Sequence, residues 1–232
     1  MTREDMTPEA YGDLLDSIMP ILLKNGLKAT TMDFIASSLK MSKRTLYEIF
    51  KSKGDMISET LKTLHKRLAE ANNEILKSSG NALEALLRGF LHHRDVMRMV
   101  NVDFFRDMDS LYADARKNCD PSKEAYLDNF VRVLETGASQ GLFRKDINFM
   151  VQCKMVAIQM ESLKRMEEIF PPDISLLEVY DSICIGFLRG ISTPEGSAKL
   201  DALLEELNNE LPEDETLRMT PRQPSENTHL TN

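Results

Sequence analysis

Tryptophan is absent from the 232 residues, glycine is held to ten and cysteine to three. The thiols, Cys119, Cys153 and Cys184, are too widely spaced for a CxxC metal site and too few for a disulfide framework, so they read as buried thiols of a reducing compartment. No GxxxxGK[ST], GxSxG or HExxH pattern and no glycine-rich dinucleotide turn occurs, and catalysis finds no support. The pair His92-His93 is a poor metal site, because helix neighbours diverge by about 100° and neither has a Cys or His at i+4. No metal, cofactor or enzymatic activity is expected. The longest apolar runs, such as Ile183 to Leu188, fall far short of a membrane span. The polar opening Met1-Thr2-Arg3-Glu4-Asp5 leads into no signal-type apolar stretch. These absences set the expectation of a cytoplasmic protein.

What is present is an ordinary folding composition, 42% apolar and 28% charged. A chain of this size can bury about 70% of its extended surface, enough for a core without staples, in one or two domains. The net charge of −8 argues on its face against a nucleic-acid partner. Its distribution reverses that inference. Residues 1–23 carry −4, residues 24–67 carry +6 and residues 68–232 carry −10. A basic segment in front of an acidic body points to an anionic polymer as the partner of the first part only.

The periodicity is helical throughout, as in Leu15, Ile18, Met19 and Leu22, with a stop at Asn25-Gly26. Breaks are expected at Gly54, Ser78 to Asn81, Cys119-Asp120-Pro121, Gly141, Pro171-Pro172 and Pro194 to Gly196. The fold class is all-α, about nine to ten helices. From residue 212 to 232 the chain turns Pro/Thr/Asn-rich and reads as a disordered tail.

Within the basic segment, Thr31 is suited to cap a helix over about 32–39 that buries Ile35, Ala36 and Leu39. After a turn at Lys40-Met41, Ser42 caps a second helix over 43–49, which turns Leu46 and Ile49 inward, with Phe50 following, and Lys43, Arg44, Thr45, Tyr47 and Glu48 mostly outward. Two short helices joined in this way form a helix-turn-helix. Lys43 and Arg44 are placed to donate to guanine O6 and N7 in a major groove. Thr31, Ser42, Thr45, Tyr47 and Lys53 are placed to donate to phosphates on the flanks.

At these residues the chain resembles the TetR family of transcriptional regulators. The resemblance is carried by Gly26, Ala29-Thr30-Thr31, Ile35-Ala36, Ser42-Lys43, Thr45-Leu46-Tyr47, Phe50 and Ser52-Lys53. A second stretch, Leu134 to Gly137 with Gly141 to Arg144, is similar to the end of the seventh helix of such regulators. The resemblance adds Thr30 to the DNA-binding candidates. Three departures stand out. Lys40 occupies the usual turn glycine, which forces a non-glycine residue toward positive φ at about 1 kcal/mol or adds a phosphate contact that offsets it. Glu48 replaces a frequent histidine and is repelled by phosphate unless it accepts from cytosine N4. Pro20 falls inside the first helix, where it removes a hydrogen bond and favours a kink.

The body adds two apolar stretches, 149–163, within a helix expected over about 149–168, and 175–191. Each fits either a central core helix or, as the resemblance implies, a four-helix dimer interface. Fourteen methionines and ten phenylalanines suggest an adaptable interior. Phe90, His93, Met97, Phe104, Phe105 and Met108, facing Met155, Gln159 and Met160, are candidates for a ligand pocket, with an ordinary packed core as the plain alternative. The expectation is a homodimeric repressor: residues 1–54 bind a palindromic double-stranded DNA operator, and residues 55–211 dimerise and bind an unidentified small molecule. A sequence-indifferent nucleic-acid binder and a helical interaction protein without DNA binding remain as rivals.

Overall fold

The structure, a computed structural model, describes residues 2–112 and 123–210, and among these the regular elements are helices. After a short 3-10 turn at Arg3–Asp5 come α1 (Pro8–Asn25), α2 (Met32–Ser38), α3 (Lys43–Ile49), α4 (Lys53–Ser78), α5 (Ala82–Met99) and α6 (Val102–Leu111). Then follow α7 (Lys123–Ser139), α8 (Phe149–Ser162), the single turn α9 (Met166–Ile169), α10 (Leu176–Ile191) and α11 (Pro194–Glu210). No helix of the described residues is long and apolar enough to cross a membrane. The expected tail at 212–232 and the break at Cys119-Asp120-Pro121 lie outside the described residues.

Local chemistry sets most of these boundaries. Thr7, Thr31, Ser42, Ser52, Asn81, Asn148 and Ser175 each accept a backbone N–H from the first turn of the helix that follows. Gly26 ends α1 at φ 74°, in the region that favours glycine. Pro20 lies inside α1, which continues to Asn25. Gly54 breaks nothing: Ser52 caps α4, and Gly54 sits in its first turn.

Three apolar clusters organise the chain. The first joins Leu15, Ile18 and Leu22 of α1 to Ile35, Leu46, Phe50, Met56 and Ile57, and is closed by Phe104 and Met108 of α6. It continues past residue 54 because α1 to α3 alone leave an apolar face open. The second joins Leu83 and Leu87 of α5 to Leu134, Phe143, Leu188, Ile191 and Leu200. The third holds Leu163, Met166, Val179 and Tyr180.

The stretch from Leu134 to Arg144 has a packing role. A Cβ on Gly137 would strike the Phe143 ring, so the helix end must be glycine for Phe143 to fold back beneath it. Phe143 then bridges to Ser192, Arg144 N–H donates to Ile191 O at 2.8 Å, and Thr193 N–H donates to Leu142 O at 3.0 Å. This pins the α7–α8 turn to the α10–α11 junction.

Candidate nucleic-acid interface

Helices α2 and α3 meet at the turn Leu39-Lys40-Met41. Lys40 has φ 54°, so a lysine does adopt the left-handed conformation that the sequence suggested. The turn is closed by Lys40 N–H to Ser37 O at 3.1 Å and Met41 N–H to Ala36 O at 2.9 Å. Leu46 and Ile49 of α3 are buried, and so is Phe50 just after it. Lys43, Arg44 and Tyr47 stand exposed on the opposite face. The outer surface of α3 is therefore cationic and aromatic over two turns.

Neither cation on this face is idle. Lys43 Nζ bridges to Asp33 of α2 at 2.8 Å, and this hydrogen bond and charge hold the ammonium above its ordinary pKa. Arg44 Nε donates to Glu48 Oε1 at 2.9 Å, which holds the Glu48 carboxyl below the usual carboxylate range. Glu48 thus shields Arg44 as well as facing outward. Both pairs are solvent-facing and weak, and can exchange for a phosphate or a base edge.

The remaining expected DNA contacts divide. Thr31 and Ser42 are exposed but already accept from Phe34 N–H at 3.1 Å and Thr45 N–H at 3.0 Å, and the Ser42 and Thr45 hydroxyls lie 2.7 Å apart. Caps of this kind can still turn their hydroxyl hydrogens outward. Two candidates are corrected. Thr30 is fully buried, with its hydroxyl donating to Gly26 O at 2.6 Å, so it stabilises the turn after α1. Lys53 points inward, its ammonium donating to Leu27 O and lying 5.9 Å from the Tyr112 ring centroid. Burial pulls its pKa down while Asp107 pulls it up.

The same turn is gripped by the body. Asp107 accepts Lys28 N–H at 2.6 Å, and Asn101 N–H donates to Leu23 O at 2.8 Å. These partners lie about eighty residues away along the chain, and no local pattern announces them.

The nine residues expected to line a pocket are not brought together. Phe104, Met108 and the half-buried Phe105 belong to the first cluster, beneath the DNA-binding unit. Phe90 is shared between the second and third clusters, and Met97 and Met160 pack on the third. His93 turns toward α4, with its Nε2 3.3 Å from Asn72 Nδ2. Met155 and Gln159 lie exposed on α8. Helical spacing shows that residues share a face but leaves open which neighbour covers it.

A cleft does exist between α5 and α10, and within it Arg94 and Asp181 form a buried ion pair at 2.7 Å. The sequence carried a signal for it in Asp181, an acid inside the apolar stretch 175–191. Residues 14–60 match the family model described as bacterial regulatory proteins, tetR family. The HTH-type transcriptional repressor KstR2 of Mycobacterium tuberculosis is 27% identical over 154 residues, covering 59% of this chain and 70% of the relative. Among solved structures, a tetR-family transcriptional regulator from Agrobacterium tumefaciens superposes with a TM-score of 0.64 at 13% identity, over 81% of this chain and 100% of that one. A regulator from Saccharomonospora viridis, solved in complex with choline, superposes at 0.63 with 18% identity, over 81% of this chain and 100% of that one.

Proposed function

We propose that this chain, whose residues 14–60 match the tetR family of bacterial regulatory proteins, is a DNA-binding transcriptional regulator that represses its target as a homodimer on a palindromic operator and releases it on binding a small molecule. The observation that carries this reading is the outward face of α3, where Lys43, Arg44 and Tyr47 project from a helix held rigidly by Leu46, Ile49 and Phe50. Lys43 and Arg44 read base edges, and Thr31, Ser42, Thr45, Tyr47 and Lys40 supply phosphate contacts.

Dimerisation runs through α8 and α10. Val151, Met155 and Ile158 are 49%, 52% and 70% exposed at i, i+4 and i+7, an apolar stripe that needs a cover. Beside it α10 presents Ser182, Gly186 and Gly190 on its open side, and nothing lies within 4 Å of a Cβ built on either glycine. Small residues opposite an apolar stripe let two copies approach closely.

Transmission from the body uses α4 and α6. α4 begins in the first cluster with Met56 and Ile57 and meets α5 at Asn72 and His93. α6 holds the turn after α1 through Asp107. A ligand that moves α5 shifts α4, and with it the separation of two recognition helices that must match the groove repeat. The choline complex of the Saccharomonospora viridis regulator supports small-molecule binding in a body of this fold.

Selection of bound fragments from genomic DNA, followed by footprinting, tests the reading. A protected palindrome with strong salt dependence is the expected result. Binding without a protected sequence favours the sequence-indifferent rival, and a dimer that retains no DNA favours an interaction protein.

A further inference from the structure

Arg44 and Glu48 stand one turn apart on α3, and both are placed against the field of the helix. Partial positive charge at a helix N-terminus favours acids in the first turn and cations in the last. In α3 the cation is in the first turn and the acid in the last, and for an i, i+4 pair this order is the weaker one. The pair therefore adds little to the stability of α3. Local choices that conflict with the fold are expected where function sets them.

The two side chains also differ in depth. Arg44 is 89% exposed and reaches into solvent, whereas Glu48 is 30% exposed and lies closer to the helix. Glu48 Oε1 accepts from Arg44 Nε at 2.9 Å, which fixes the base of the planar guanidinium and leaves its Nη1–Nη2 end for a second acceptor. Lys43 has no such arrangement. Its ammonium is a point charge, and its partner Asp33 is exposed on a different helix. Water screens the contact between Arg44 and Glu48 in the free protein. Entry of α3 into a groove displaces that water, and the same contact strengthens as the local dielectric falls.

We propose that Glu48 is a positioning residue that sets Arg44 for a guanine: with Nε held by Glu48, the Nη1 and Nη2 donors meet O6 and N7 of one guanine in the major groove, and each half-site carries a G·C pair there. This deepens, and rests on, the reading of α3 as the base-reading helix. Glu48 also acts against loose binding, because a carboxylate beside Arg44 is repelled by the phosphates that a misplaced α3 would meet. One side chain thus lowers affinity for random DNA and sharpens preference at one base pair.

The test uses the full chain and a selected operator fragment in which each base pair of one half-site is replaced in turn, with affinity read by fluorescence anisotropy at several salt concentrations. Arg44→Ala should lose preference at one position, a G·C pair, by at least about tenfold, or about 1.4 kcal/mol. Arg44→Lys keeps the charge without the fork, so it should lose the same preference with the salt slope unchanged. Glu48→Ala should relax that same position and tighten binding to scrambled DNA. Glu48→Gln keeps an acceptor for Nε and removes the charge; it should tighten scrambled DNA equally while retaining most of the preference. Undiminished preference in Glu48→Ala, equal loss in Glu48→Ala and Glu48→Gln, or relaxation at a different base pair, as direct contact of Glu48 with a cytosine would give, would each overturn the positioning role. A pair other than G·C at the Arg44 position would overturn the guanine assignment. Failure of the underlying reading is distinguishable: selection would yield no protected sequence, all four variants would shift every duplex alike, and the proposal would fall with it.

Discussion

Asp107 on α6 accepts the backbone N–H of Lys28 at 2.6 Å, joining residues 79 apart in sequence across the boundary between DNA-binding unit and body. The carboxylate is buried, and the N–H belongs to the turn that carries the chain from α1 to α2. A buried carboxylate facing a backbone donor is stable only while both stay in place. The contact therefore fixes the start of the helix-turn-helix relative to α6, and the Gly26 Cα lies so close that an added Cβ would meet Asp103 Cβ at 3.3 Å.

Removing that acceptor should be costly. Asp107→Ala strands the Lys28 N–H and is expected to lower unfolding free energy by about 1–3 kcal/mol. Asp107→Asn keeps an acceptor oxygen and should cost less. Urea unfolding reads the stability, and hydrogen exchange at Lys28 reads the contact. Unchanged protection of that amide in the alanine variant would mean that something other than Asp107 holds the turn.

Lys40 offers a test that separates strain from contact. At φ 54° a side chain costs energy that glycine avoids, while glycine carries more entropy in the unfolded chain. The balance predicts that Lys40→Gly stabilises by roughly 0.5–1 kcal/mol, whereas Lys40→Ala changes little. Both remove the ammonium. If Lys40 contacts phosphate, each lowers the slope of log affinity against log salt by about 0.9 on the selected operator. Equal slopes in wild type and both variants would leave the lysine without a DNA role.

The contrast among Thr31, Thr30 and Lys53 shows how much of this protein its sequence discloses. Thr31, Ser42 and Gly26 act through backbone groups within a few residues, so the bounds of α2 and α3 and the inward set Ile35, Leu46 and Ile49 are legible from the pattern. Thr30 carries the same hydroxyl as Thr31 but is turned inward by the register of the turn. Lys53 looks like a phosphate contact until α6 and the Leu27 carbonyl are placed beside it. Of the nine pocket candidates only Phe90 lines the cleft between α5 and α10, and the other eight lie elsewhere for the same reason. Met155 shares apolar character with Phe90, and only the tertiary neighbours decide that one faces out and the other in.

These placements set different expectations for two lysines. Lys43→Ala should weaken operator binding by about 1–3 kcal/mol and relax preference at one base position, with less effect on random DNA. Lys53→Ala should leave the salt slope alone and reduce stability, because its ammonium serves the Leu27 carbonyl. Asp33→Asn, which frees Lys43 from its ion pair, should strengthen binding modestly to any duplex. Fluorescence anisotropy on operator and scrambled duplexes at several salt concentrations measures all three. Loss of salt slope in the Lys53 variant would return that residue to the DNA surface.

His93 makes the interface of α4 and α5 sensitive to acid. Burial, reinforced by His92 and His65, pushes its pKa down to about 4, against 6.5 for an ordinary histidine. Its Nε2 lies 3.3 Å from Asn72 Nδ2, which donates to it when the ring is neutral with its proton on Nδ1. Below pH 6.5 the unfolded chain binds a proton that the folded chain resists, so stability is complete above that value and falls as pH drops toward 4. At 1.36 kcal/mol per pH unit the loss across the window approaches about 3 kcal/mol. His93→Gln keeps a polar partner for Asn72 and removes the titration. Urea midpoints at pH 7, 6, 5 and 4.5 should therefore show wild type losing stability faster than the variant, with the gap opening below pH 6.5. Parallel curves would place the acid sensitivity elsewhere and leave His93 as packing alone.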